Sequence, residues 1–247
     1  MSDPEVFAGL RPLLFSIAYR MLGSVTDAED MVQEAFLRWD RVPDGEVASP
    51  KAYLSAVVTR LCIDHLRSAR VAREAYVGPW LPDPILTAAA DPGTSGEDRA
   101  LLADSLSMAF LVLLESLSPV ERAVFLLRET FGYDYAEIAT IVGRSEANCR
   151  QIAVRARKQL EARRPRFAAS PETRDEITGR FVHAAETGDM GALLDLLSDD
   201  IVLWSDGGGK VRAARNPVLG AANVARLLLG LVRRNAGLLS ATPGEIN

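Results

Sequence analysis

Three stretches of this 247-residue sequence hold residues whose types and spacing could do chemistry. The first is "SDGGGKVRAAR", with Asp206, Gly207, Gly208, Gly209 and Lys210 in succession. Glycines followed by lysine build the loops that cradle nucleotide phosphates, provided that Ser or Thr follows the lysine and a helix follows that. Here Val211 follows Lys210, and the segment Lys210 to Ala213 reads as a short strand. The glycines therefore fit a strand-to-strand turn, in which Asp-Gly supplies the positive φ that tight hairpins need. Lys210 and Asp206 are expected to face outward, and no nucleotide chemistry is expected. The second stretch is "YAEIATIVGRSEANCRQIAVRARKQL", which reads helix, tight turn, helix. If Ile138, Ala139 and Val142 pack against Cys149, Ala153, Ala156 and Leu160, then Arg150, Gln151, Val154 and Arg155 share one outward face. Arginine can contact guanine edges bidentately and glutamine can read adenine, so this face suits the major groove. Ser145 sits at the N-cap of the second helix, where side-chain and backbone donors can meet phosphate. Arg157, Lys158, Arg163 and Arg164 add charge for phosphate contacts. The third stretch is "TDAEDMVQEAFLRWD", an acidic start followed by one apolar stripe.

The remaining pattern supplies the elements that must hold these residues. Val6, Leu10, Leu13, Leu14, Ile17, Ala18 and Met21 recur at helical spacing up to Gly23. Thr26 and Glu29 suggest a capping box for a second helix, whose Ala28, Met31, Val32, Ala35, Phe36 and Trp39 face inward. A third helix is predicted from about Lys51 to Glu74. Residues 75–98 contain four prolines and read as a linker. Helical periodicity returns from Arg99 to Leu117, and Ser118, Pro119 and Glu121 cap the next helix. "RRPRFAASP" is a second linker. After Pro171 two helices (about 172–187 and 189–197), a strand at Ile201 to Trp204, the glycine turn, the short strand and a helix near Ala221 to Arg234 form an α+β tail on an otherwise all-α chain.

Composition narrows the partners. An apolar fraction of 48% and a charged fraction of 25% are ordinary for a soluble globular protein. The net charge of −5 argues against a plain DNA-binding protein, but the charge is segregated. Residues 1–50 hold nine acids and four bases, residues 51–74 five bases and two acids, and residues 144–166 eight bases and two acids. Such a chain is expected to have several partners. The apolar run Met108 to Leu114 is too short for a bilayer, no signal peptide is expected where charges at Asp3, Glu5 and Arg11 interrupt the N-terminus, and Cys62 and Cys149 suit a reduced cytoplasm. The two histidines and two cysteines have no metal-ligand spacing, so neither metal nor cofactor is expected.

Taken together, "TDAEDMVQEAFLRWD", "PKAYLSAVVTRLCIDHLRSARVARE" and "LSPVERAVFLLRETFGYDYAEIATIVGRSEANCRQIAVRARKQL" resemble, in order and spacing, the extracytoplasmic-function (ECF) sigma factors of the sigma-70 family. The resemblance covers residues 4–164. It implies all-α sigma domains: region 2 over residues 1–74, a Pro-rich linker over 75–98, and region 4 with its helix-turn-helix over 99–166. It also implies a transcription initiation factor, not an enzyme, with core RNA polymerase and promoter DNA as partners. On this resemblance, Asp30, Gln33, Glu34 and Arg38 are candidates for the polymerase contact. Asp64, His65, Arg67, Arg70 and Arg73 are candidates for the −10 element. Ser145, Asn148, Arg150, Gln151, Val154, Arg155 and Lys158 are candidates for the −35 element. Arg60 and Leu61 stand where many members have Arg-Asn, so no promoter sequence carries over.

"YVGPWLPDP" and "DGGGK" look like motifs of the subgroup with a C-terminal SnoaL-like extension, which is taken to modulate the sigma factor in cis without requiring a separate anti-sigma factor. Residues 167–247 then form a partial α+β cone, apparently truncated at "GEIN", with Trp80 as the linker's contact and Asp206 to Lys210 as regulatory residues. Two other readings stay open: a helix-turn-helix regulator that works without polymerase, and a SnoaL-like isomerase or cyclase using His183, Asp195 or Asp206. The enzyme requires a closed pocket with a positioned acid or base, which a partial cone does not provide.

Overall fold

The computed structural model describes residues 3–43, 45–73, 81–85, 108–162, 171–206, 213–214 and 216–234. Trp80 and Gly207 to Lys210 lie outside them, as do Arg163 and Arg164; Arg70 and Arg73 are described only as helix backbone. The chain forms two compact units, one built on residues 1–76 and 82–164, the other on residues 77–81 and 165–244.

The first unit is all helical: α1 (Pro4–Leu22), α2 (Val25–Asp40), α3 (Pro50–Arg73), α4 (Met108–Leu114), α5 (Pro119–Glu129), α6 (Tyr135–Val142) and α7 (Glu146–Glu161). Gly23, at φ 70°, ends α1 in the left-handed conformation that glycine adopts without steric cost. Only Ser24 then separates α1 from α2. Its hydroxyl accepts from the Asp27 N–H, so Ser24 is the N-cap and the expected Thr26–Glu29 box does not form. The early glycine stop moves the cap two residues upstream. Glu29 instead pairs with Arg11 of α1 at 2.5 Å.

The sequences on either side of the Pro-rich segment share one core. Phe7, Leu14, Trp39, Leu54, Val58 and Leu66 lie in the same buried cluster as Leu111, Leu114, Phe125, Leu126, Ala156 and Leu160. Polar groups reinforce it. Arg122 of α5, 3% exposed, donates to the Met21 carbonyl at 2.6 Å and to Glu115 at 2.9 Å. Arg20 of α1 sits 5.3 Å from the Phe131 ring centroid, and burial pushes its pKa down to about 10. The Ser55 and Tyr133 hydroxyls share a buried hydrogen bond of 2.7 Å. Residues 81–85 join this unit from Pro82 onward. Asp83 donates its N–H to the Gly23 carbonyl (2.7 Å), accepts the Tyr19 hydroxyl on its own carbonyl (2.5 Å), and accepts the Val25 N–H on its carboxylate (2.9 Å). One linker residue thus braces the α1–α2 turn.

The expected cap of α5 forms as a full capping box, with Ser118 and Glu121 each satisfying the other's backbone N–H. The helix before it ends at Leu114 instead of Leu117, with turns over Glu115 and Ser116. The Ser118 hydrogen bond holds the Glu121 carboxyl below its ordinary pKa. A depressed carboxylate contributes stability above its unfolded pKa of about 4.3, and that contribution is lost as pH falls through the folded value. Ser118→Ala is expected to cost about 1 kcal/mol at neutral pH. Acid titration of thermal stability should then show a shallower fall in the variant than in the parent protein.

The second unit contains α8 (Pro171–Thr187), α9 (Met190–Leu196), β1 (Val202–Leu203), β2 (Val218–Leu219) and α10 (Ala221–Arg234). Ala184, Leu193, Ala225 and Leu229 form its small core. The strands pair antiparallel, Val202 opposite Leu219 and Leu203 opposite Val218. The expected strand at Lys210 to Ala213 lies outside the described residues except for Ala213, which is irregular, and the described partner of β1 is Val218–Leu219. The chain does turn back after β1, because the Ser205 hydroxyl accepts the Ala214 N–H at 2.9 Å.

Candidate nucleic-acid and polymerase interfaces

The helix-turn-helix forms because both of its helices are capped and both bury their small apolar side. Asp134 and Glu137 make a capping box at the start of α6, and Gly143, at φ 66°, ends it. Ser145 caps α7 by accepting the Asn148 N–H at 3.3 Å. Ile138, Ile141, Cys149, Ile152 and Ala153 pack on Val124, Leu127 and Tyr133. Ala156 and Leu160 turn instead into the larger core shared with α1–α3. Burial raises the pKa of the Cys149 thiol, and that of Cys62, so both stay protonated packing groups.

What α7 leaves outside is the face expected from the sequence. Ser145, Asn148, Arg150, Gln151, Val154, Arg155 and Lys158 are all exposed. Val154 is 48% exposed, an apolar group of the kind that meets a thymine methyl. Arg150 is held by Glu146 at 3.0 Å and by the Tyr135 ring, with its guanidinium carbon 5.4 Å from the ring centroid. Arg157 is engaged elsewhere. It pairs with Glu129 at 2.6 Å, which raises its pKa.

The α3 candidates are less uniform. Asp64 and Arg67 pair along the exposed face at 3.3 Å. His65 is 29% exposed, and its Nε2 lies 3.6 Å from the Asp27 carboxylate on α2. Sequence spacing alone did not point to that partner. Arg60, which keeps the Arg of the Arg-Asn pair while Leu61 departs from it, has a definite role here. Its Nε donates to the Ile141 carbonyl (2.8 Å) and its Nη2 to the Thr140 carbonyl (2.7 Å). These are C-terminal carbonyls of α6, which lack helical partners and favour a cation. Leu61 packs against the large core.

On α2, Asp30, Gln33 and Arg38 are exposed, while Glu34 is half-buried and accepts from Arg38 at 3.0 Å. Two apolar residues complete this surface. Leu37 is 45% exposed and, at i+4 from Gln33, lies on its stripe; Phe36 is 36% exposed and meets Phe7 edge-on. Phe36 was expected inside, but the short Phe7 contact leaves its other edge in solvent. Leu37 was missed because a single leucine outside an apolar stripe carries no signal of its own.

In the second unit, Asp206 is half-buried, and its carboxylate accepts the Leu81 N–H at 3.1 Å. This corrects the expectation that Asp206 faces outward. The expected linker contact, Trp80, lies outside the described residues. Val202, Trp204 and Leu219, on one side of the two-stranded sheet by register and alternation, are 39%, 50% and 63% exposed. Among the described residues no group of three or more His, Cys, Asp or Glu could hold a metal ion, and no helix is long and apolar enough to cross a membrane.

Comparison with known proteins gives a consistent result. The family model for sigma-70 region 2 matches residues 6–71, and that for sigma-70 region 4 matches residues 107–160. The ECF RNA polymerase sigma factor SigJ of Mycobacterium tuberculosis is 42% identical over 239 residues, covering 95% of this chain and 75% of the relative. The probable ECF RNA polymerase sigma factor SigI of the same species is 36% identical over 236 residues, covering 94% and 78%. The crystal structure of the M. tuberculosis SigJ superposes with a TM-score of 0.73 at 39% identity, covering 94% of this chain and 76% of that one.

Proposed function

The chain belongs to the ECF RNA polymerase sigma factors, and from that premise we propose how its surfaces divide the work of promoter-directed initiation. As a transcription initiation factor it binds RNA polymerase; the family is not enzymatic. In our reading the α2 face of Asp30, Gln33, Leu37 and Arg38, supported by Glu34, docks on core polymerase. The α3 surface from Asp64 through Arg73 meets the −10 element. The α7 face of Arg150, Gln151, Val154 and Arg155, with Ser145, Asn148 and Lys158 beside it, reads the −35 element. The observation that carries this reading is the α7 face itself, where every candidate reader is exposed while the intervening Cys149, Ile152 and Ala153 are buried.

The two DNA elements lie about 25 base pairs apart, roughly 85 Å along B-DNA at 3.4 Å per step. The α3 and α7 surfaces belong to one unit, both helices send side chains into its larger core, and Arg60 of α3 caps α6. Reading both elements at once therefore requires α3 and α6 to separate. We read the second unit as a partial SnoaL-like extension acting in cis, a reading supported by helices beside a small sheet on which Val202, Trp204 and Leu219 are exposed. The Leu81–Asp206 hydrogen bond supports a role for the linker in that control. A separate anti-sigma factor is not required by this reading.

Core-polymerase pull-down tests the docking surface. Asp30→Ala with Glu34→Ala should weaken capture at least about tenfold, the effect of roughly 1.4 kcal/mol at a docking hot spot. Undiminished capture would remove α2 as the docking helix. The helix-turn-helix regulator remains the rival, and it requires no capture at all.

A further inference from the structure

Tyr135 opens α6, and its backbone is fixed by the Asp134–Glu137 capping box, with hydrogen bonds of 2.7 and 2.9 Å. Its half-buried ring has two arginines over it. The Arg128 guanidinium carbon is 4.9 Å from the ring centroid and that of Arg150 is 5.4 Å. Arg128 is fixed from its other side by donating to the Tyr133 carbonyl at 3.0 Å. Two cations near one another repel, and the electron-rich ring face attracts both. The ring therefore sets where the Arg150 guanidinium rests, together with Glu146 one helical turn away.

This matters because a free arginine gives up rotamer freedom when it binds, whereas a guanidinium already stacked on a ring loses less per hydrogen bond formed. A side chain held over a ring also presents its planar fork in a restricted orientation, which is what bidentate contact with a guanine edge requires. We propose that Tyr135 is a positioning residue for base recognition, its ring holding Arg150 in place before DNA arrives. This rests on the reading of Arg150 as a −35 base contact. Tyr135 itself touches no base. The part of the side chain that acts is the ring face, and the hydroxyl is dispensable.

The test is binding of holoenzyme, reconstituted from core polymerase and the full chain, to promoters randomised across the −35 element, at several salt concentrations. Arg150→Ala should erase the preference at one base pair. Tyr135→Leu and Tyr135→Met should reduce the preference at that same base pair about two- to fivefold, the size of an exposed cation–π contact. Their salt slopes should match the parent, because no phosphate contact is removed. Tyr135→Phe should be indistinguishable from the parent. Two non-aromatic variants, each checked by thermal melting, guard against a folding defect in one of them. If Arg150→Ala leaves every preference intact, the reading of Arg150 fails and this inference falls with it. If Arg150→Ala acts but Tyr135→Leu and Tyr135→Met keep the preference, the positioning role alone is overturned. It is likewise overturned if both lose affinity equally across all sequences, or if Tyr135→Phe behaves as they do.

Discussion

Replacing Arg150 and Arg155 by alanine is expected to abolish initiation from promoters while leaving capture of core polymerase unchanged. Both side chains are exposed on α7, whose apolar side is buried without them. A bidentate base contact is worth about 1–3 kcal/mol of discrimination, and well-separated contacts add approximately. The double variant therefore loses roughly 2–6 kcal/mol of promoter recognition, at least about thirtyfold. Its folding should change little, since exposed positions away from caps and cores usually shift stability by less than about 0.5 kcal/mol. Changes at Asp30 and Glu34 should do the reverse, weakening polymerase capture while the free chain's −35 preference persists. Should all four variants lose both activities together, the separation of docking from reading would be wrong.

The second large effect concerns Arg122. It is 3% exposed and joins α5 to the end of α1 through the Met21 carbonyl, with Glu115 beside it. Removing one partner of a buried pair typically costs about 3–5 kcal/mol, and the partial exposure of Glu115 places this case at the lower end. At about 2–4 °C per kcal/mol for a chain of this size, Arg122→Ala should lower the melting temperature by roughly 6–12 °C. The informative readout is Trp39, which is buried on α2 and donates its indole N–H to the Asp3 carbonyl. Because the cluster that holds Trp39 also holds Phe125 and Leu126 of α5, a change in α5 should shift the melting of Trp39 by the full amount. A variant in which α5–α7 melt early while Trp39 keeps its parental transition would show two separate cores.

Local signals in the sequence carried far. Ser118-Pro119 and the Gly143–Ser145 turn mark helix ends by chemistry that acts within four residues, and those helices lie where the sequence places them. The outward face of α7 follows equally from helical spacing. The cap of α2 was misread because Ser24 and Thr26 are both good capping residues, and only the left-handed Gly23 decides between them. Long-range partners were not legible. Nothing in periodicity says that Arg60 caps a helix eighty residues away, that Asp83 braces the α1–α2 turn, or that Asp27 meets His65. The strand partner of β1 was missed for a related reason, since two-residue strands carry almost no alternation to read.

The most direct test is run-off transcription with core polymerase and the full chain on a library randomised at the −10 and −35 elements, repeated without residues 168–247. The predicted result is initiation at a fixed distance from selected −35 sequences, a selection lost with Arg150→Ala and Arg155→Ala, and a changed yield when the C-terminal segment is removed. Transcription no greater than with core polymerase alone, from a chain that still selects DNA sequences unaided, would contradict it and identify a regulator that works without polymerase.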